Sequence, residues 1–330
     1  MGAQKVEPPR YPAIGNARVI AGVFVFAALL GGCASLVPQT AVLREGLPQG
    51  LPAQAEIAEV PFFPQAEYQC GPAALATVLA HFKVKVTPDD LVAEVYLPER
   101  KGSLQVEMLA AARRHGVVSY LLAPSLEDVM REVAGGNPVI VLQDQGIGPF
   151  ENWHYAVVVG YDYQSGELIL RSGEQKRRML HFAFHEYMWS KGGYWAMLAV
   201  PPDRIPATAT EAGWLAAIAA FERVDARGAQ SAYANFLKRW PANVNAALAL
   251  ANTHYALSEL KEAEAVLRLA AGRQPDSVIV LNNLAQTLSD QGRHAEALAL
   301  VERAVAAGGP FEPAARETRA MILGRMAKMR

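Results

Sequence analysis

The chain has 330 residues, 52% of them hydrophobic and 19% charged, with a formal net charge of −1. That length accommodates two ordinary domains, and that composition is globular rather than disordered. Near-neutrality without a lysine- or arginine-rich run excludes the basic footprint of nucleic-acid binding, and no Gly-x-x-x-x-Gly-Lys-Ser/Thr or Gly-x-Gly-x-x-Gly segment is present to cradle a nucleotide.

The N-terminus reads as an export signal over residues 1–32. Lys5, Arg10 and Arg18 supply positive charge, and Val19 to Gly32 supply an apolar core too short for a comfortable membrane span. Its end, Leu30-Gly31-Gly32-Cys33, resembles the lipobox of bacterial lipoproteins. The resemblance implies that Cys33 becomes the lipidated first residue of an envelope protein, with Ala34 suited to outer-membrane sorting. Residues 33–55, with Pro38, Pro48 and Pro52, are expected to be a flexible tether. A lipidated Cys33 leaves Cys70, the other cysteine, without a disulfide partner in the chain.

Cys70 follows an extended segment and opens a helix, because Ala74, Leu75, Val78, Leu79 and Phe82 recur at helical spacing. A sulfur at a helix N-terminus meets unpaired backbone N–H groups, so a lowered thiol pKa is expected. Gly71 lets a substrate backbone come close, and Pro72 suits the first helical turn. Gln65, five residues upstream, is placed to share an oxyanion hole with the Cys70 backbone N–H.

Seven histidines compete for the role of base. His254 and His294 fall in the C-terminal helical region, His81 and His115 lie near helix ends, and His181 and His185 sit among aromatic residues as core candidates. His154 opens the strand "HYAVVVGYD" after the loop "DQGIGPFENW", where a rigid scaffold presents a side chain at its edge. Around these residues the spacing predicts helices over Thr87–Val95, Ser103–His115 and Ser125–Ala134. Strands are predicted over Val117–Leu122, Pro138–Leu142, His154–Tyr161, Leu168–Arg171, Arg178–Phe182 and Tyr194–Val200. Helices early and strands late make residues 56–203 an α+β domain with an antiparallel sheet.

"QAEYQCGPAAL", "NPVIVL" and "HYAVVVGYD", in that order, resemble the bacteriocin-processing, double-glycine leader peptidases, a papain-like cysteine peptidase group. The resemblance implies that Cys70 attacks, Gln65 builds the oxyanion hole and His154 is the base, acting on a peptide or protein substrate. It also calls for an aspartate on the strand after the histidine strand. Here Arg171-Ser172-Gly173 stands in that place. Ser172 is taken as the third catalytic residue, with Glu174 and Asp162 as competitors; a neutral orienter fixes the imidazole tautomer but does not stabilise its cation. No Cys-x-x-Cys or His-x-x-x-His spacing assembles a metal site around Cys70, no Gly-x-Ser-x-Gly elbow occurs, and no cofactor is implied. The alternative to an enzyme is a peptidase fold kept as a docking scaffold.

Residues 204–330 turn alanine- and leucine-rich, and Pro241, Pro275 and Pro310 recur at the period of tetratricopeptide repeats. Leu250, Ala251, Ala263 and Ala270 precede Pro275 much as Leu284, Ala285, Ala297 and Ala304 precede Pro310. A more divergent unit holds Ala217, Ala229, Tyr233 and Phe236, and Pro313–Lys328 is expected as a capping helix. The expectation is an all-α tetratricopeptide repeat solenoid whose concave surface recruits a protein partner or substrate.

Overall fold

The structure, a computed structural model, describes residues 36–64 and 69–329; the expected signal segment and Cys33 lie outside the described residues. A sheet of seven strands organises the first domain. Its β-branched runs form β4 (Val118–Leu121), β5 (Val139–Asp144), β6 (Trp153–Asp162), β7 (Glu167–Ser172), β8 (Gln175–His181) and β9 (Ala196–Val200). They lie in the order β4-β9-β5-β6-β7-β8, every pairing antiparallel. The short β1 (Gln54–Glu56) adds to the far end of β6. There Gly160 is required, since a Cβ would meet the Ala55 carbonyl oxygen at 2.8 Å and the Ile169 side chain at 2.9 Å.

Consecutive residues Tyr155 to Tyr161 of β6 are buried, so both faces of the central strand are covered. Helix α2 (Cys70–His81) packs on β6 and is buried continuously from Gly71 to Leu79, which places the start of a core helix against the histidine strand. Helices α3 (Pro88–Val95) and α4 (Gln105–Arg114) pack beside it. The helix expected from Ser103 begins at Gln105 because Gly102–Ser103 pairs as β3 with Tyr96–Leu97, which is β2. Ser125 caps α5 (Leu126–Ala134) by accepting from the Asp128 N–H at 3.1 Å.

Two stretches depart from the sequence reading. Over 36–54, where a flexible tether is expected, the chain is folded onto the domain: α1 (Pro38–Leu43) buries Leu43, and Leu51 is buried as well. The N–H groups of Gln39 and Thr40 donate to the buried Glu186 carboxylate at 2.8 and 2.6 Å. Tyr163 and Tyr161 donate their hydroxyls to the carbonyls of Leu43 and Pro52. Two apolar anchors and satisfied backbone groups outweigh the proline content that reads as a linker. In the second stretch, β8 ends at His181 and Phe182–Lys191 forms α6, whose residues Phe182, His185, Met188 and Trp189 are buried.

Seven helices follow: α7 (Glu211–Glu222), α8 (Ala226–Arg239), α9 (Val244–Ala256), α10 (Leu260–Arg273), α11 (Val278–Asp290), α12 (His294–Ala307) and α13 (Glu312–Ala327). Successive helices pack as pairs, with Ala229, Ala251, Ala263, Ala285, Ala297 and Ala304 buried where helices approach closely. The first pair does not stand apart from the sheet. Trp214 on α7 meets Tyr120 of β4 edge to face at 5.7 Å, and one continuous core runs from the sheet through Phe221 and Phe236 to Leu250. The buried Glu132 ties the connection down, accepting from Asn137 Nδ2, Thr208 N and Thr208 Oγ1, each at 2.6 Å, and from Ala207 N at 3.2 Å.

Candidate active site

Cys70 is the first residue of α2, and His154 is the second residue of β6. Because α2 packs on β6, both side chains line one open cleft of about 880 Å³, together with Ser103, Trp153, Tyr155 and Lys191. The approach is close. A Cβ on Gly71 would lie 2.2 Å from Ser103 Oγ, so only glycine allows β3 to reach the helix start. Tyr155 tightens the same corner: its hydroxyl donates to the Ser103 carbonyl at 3.1 Å, and its backbone N–H faces the Cys70 sulfur.

The His154 ring is held from the next strand. Antiparallel pairing sets Val157 opposite Arg171, so Ser172 comes beside the start of β6, and Ser172 Oγ lies 3.0 Å from His154 Nε2. Ser172 is buried. With Nε2–H donating to Ser172, Nδ1 carries the lone pair, and it has no hydrogen-bond partner among the described residues. No hydrogen bond joins this ring to the Cys70 thiol in this structure.

Electrostatics here run against the expectation of an ionised sulfur. Burial pushes the Cys70 thiol above its ordinary value; N–H groups of Tyr155, Gly71 and Cys70 itself pull the other way and are outweighed. The cause is plain: the sulfur is half-buried against the core at the inner end of the cleft, where losing water opposes the thiolate more than the helix end favours it. Burial, with the positive charge of Arg178 nearby, holds the His154 imidazole down at about 4. Ser172 brings no charge to offset either effect. The resting pair is therefore a neutral thiol and a neutral imidazole.

The competitors for the third position lie elsewhere. Asp162 is at the opposite end of β6, where its carboxylate accepts from the N–H groups of Gln164 and Ser165 in a turn. Glu174 sits in the β7–β8 turn, one residue beyond Gly173 at the cleft margin. Gln65 lies outside the described residues. The other histidines are engaged away from the cleft: His115 with Glu94 at 2.9 Å, His185 with Gln143 at 2.8 Å, His254 with Glu259 at 2.8 Å, His294 with Ser289 at 3.0 Å, His181 near Glu167 at 3.6 Å, and His81 edge-on to Phe82. Among the described residues no group of three or more His, Cys, Asp or Glu is placed to hold a metal ion.

Sequence reasoning missed two supports. Arg171, buried beside Ser172, donates to the carbonyls of Ala58 and Val60 and fixes the segment that leads toward Cys70. Asp144, at the end of β5, accepts from the N–H groups of Gly146 and Asn152, both at 2.8 Å, and closes the loop preceding His154. A buried arginine in "LILRS" was the available signal, since a buried guanidinium requires acceptors.

Residues 57–177 match the Peptidase_C39 like family. Residues 215–278 and 279–307 match tetratricopeptide repeat families. No curated protein matches the chain. Among solved structures, a Bacillus anthracis protein described as a C39-like peptidase is 17% identical, covering 44% of this chain and 97% of that one with a TM-score of 0.38. MamA is 13% identical over 36% of this chain and 80% of its own, with a TM-score of 0.29. A MamA variant is 21% identical over 30% and 73%, with a TM-score of 0.28.

Proposed function

We propose that this C39-like domain, with its tetratricopeptide repeats, is an envelope-anchored cysteine peptidase that hydrolyses peptide bonds through a thioester on Cys70, the repeats recruiting a protein substrate or partner. The observation that carries the reading is the convergence on one cleft of a helix-start thiol and an imidazole whose far nitrogen is already held by Ser172. Since both groups rest uncharged, His154 Nδ1 takes the thiol proton as Sγ bonds to the substrate carbonyl carbon. The oxyanion that forms is met by the Cys70 backbone N–H and, on the sequence expectation, the Gln65 amide. Collapse breaks the C–N bond, the amine leaves with the proton from His154, and water then cleaves the thioester with the same base. The closing of Cys70 onto His154 belongs to the substrate-bound state, where such hydrogen bonds tighten.

Lipidation at Cys33 supplies the anchor in this reading, and a Cys33→Ser chain should leave the membrane fraction. Mapping cleavage sites across the proteome with the natural chain against Cys70→Ala tests activity and substrate together. Cleavages that vanish with the thiol are expected; identical maps refute the peptidase.

A second reading, a peptidase fold kept as a docking scaffold, is favoured by one set of observations: the raised thiol, the depressed imidazole and the serine in place of a carboxylate. Labelling by a peptide electrophile separates the two. Modification of Cys70 that depends on His154 supports the enzyme, and modification indifferent to His154→Ala supports the scaffold.

A further inference from the structure

Six large apolar side chains outside the cleft are exposed on three connected pieces of the first domain. Leu36 and Val42 flank or belong to α1 and are 57% and 64% exposed; Phe184 and Tyr187 on α6 are 53% and 41% exposed. Ile147 and Phe150, bridged to each other at the tip of the β5–β6 loop, are 86% and 79% exposed. Hydrogen bonds and an ion pair link the three. Glu186 on α6 holds the first turn of α1 through the Gln39 and Thr40 N–H groups. Phe184, Tyr187 and Lys191 share one side of α6 by helical spacing. The Lys191 ammonium lies 4.9 Å over the Tyr187 ring, donates to the Gly146 carbonyl at 3.2 Å and pairs with Asp144 at 3.3 Å, which joins α6 to the loop carrying Ile147 and Phe150.

Large apolar side chains left exposed together on linked elements mark an interaction site, and the chain itself says which. Leu36 is three residues after Cys33, so a lipidated Cys33 lies within about 11 Å of it at full extension. The clamp on Gln39 and Thr40 leaves no longer tether to carry the domain away. We infer that the exposed side chains of α1, α6 and the 147–150 tip form a membrane-contact face that lies on the bilayer carrying the anchor and holds the domain in a fixed orientation. The inference rests on the lipid-anchoring reading above. The lysine between α6 and the loop, Lys191, is already engaged by Asp144, the Gly146 carbonyl and the Tyr187 ring, so the contact is taken to be apolar and insensitive to headgroup charge. Trp153 and Lys191, which line the cleft, border the same loop. The cleft mouth then opens beside the bilayer, and polypeptide segments close to the membrane are the substrates it reaches.

Trp153, 44% exposed, reports the contact: Trp189 and Trp214 are sealed in the core, Trp195 and Trp240 are half-buried, and the difference between the natural chain and Trp153→Phe isolates its signal. The full lipidated chain in phosphatidylcholine vesicles with brominated acyl chains should show fluorescence quenching that disappears in Trp153→Phe. Ile147→Ser with Phe150→Ser, and separately Phe184→Ser with Tyr187→Ser, should each remove most of that quenching while the protein still floats with the vesicles. Adding anionic lipid should leave it unchanged. Floating protein whose Trp153 is not quenched overturns the membrane face while leaving the anchor intact. Failure of the natural chain to float, or flotation unaffected by Cys33→Ser, overturns the anchor and the face with it. Loss of cleavage of a soluble peptide in the Ile147→Ser/Phe150→Ser chain, without vesicles, assigns the tip to substrate and rejects the membrane.

Discussion

Replacing Ser172 by aspartate puts a carboxylate where a neutral hydroxyl now lies 3.0 Å from His154 Nε2. An opposite charge at that range raises an imidazole pKa by about 1–3 units. From the resting value of about 4, the Ser172→Asp ring should titrate between about 5 and 7, each unit being about 1.4 kcal/mol of differential stabilisation. At pH 7 the imidazolium population would rise from about 0.1% to as much as about half, and an imidazolium beside the sulfur draws the thiol downward. Arg178, which now opposes the imidazolium, would help keep the new carboxylate ionised despite its buried position. The assay is NMR titration of the His154 ring, paired with the rate of Cys70 alkylation by iodoacetamide across pH. Ser172→Ala is the control, since it adds no charge and should leave the midpoint low. A natural-chain midpoint near 6.5 refutes the burial argument. A Ser172→Asp midpoint indistinguishable from that of Ser172→Ala refutes the assignment of Ser172 as the group that holds the ring.

Four further outcomes follow from the structure. In the natural chain the Cys70 alkylation rate should still be climbing above pH 9, because burial raises the thiol; a plateau below pH 8 contradicts this. His154 and His185 are held near 4 and 3 in the fold, so the unfolded chain binds more protons between those values and about 6.5. Stability is fully present above the unfolded value and declines as pH falls; urea unfolding should show about 2 kcal/mol lost per histidine between pH 7 and pH 5, with His154→Gln removing about half of the total. A Gly71→Ala chain, whose new methyl would lie 2.2 Å from Ser103 Oγ, should lose about 1–3 kcal/mol and recover much of it when combined with Ser103→Gly; additive losses would contradict the contact. Finally, Glu132→Ala strips the acceptor from the Asn137, Ala207 and Thr208 donors. Limited proteolysis near residues 201–210 should accelerate, and unfolding stability should fall by about 2–4 kcal/mol.

Periodicity and punctuation were enough to read the helix from Cys70, the strand from His154, the capped helix after Ser125 and the repeat pairs, because local spacing dictates which face of an element is apolar. The pairing of Ser172 with His154 was readable only as one of three options; antiparallel register, which sets Val157 opposite Arg171 and turns Asp162 away, is what separates them. Other features had no local signal. Leu43 and Leu51 look like linker residues until the sheet and Glu186 are in place to receive them, and Arg171 looks like a surface charge until the carbonyls of Ala58 and Val60 come within reach. The state of the thiol is the sharpest case. Sequence places a sulfur where a helix begins, and that alone favours the anion; depth below the surface is a property of how helix, sheet and β3 close around it, and in water-poor surroundings the loss of hydration decides the sign.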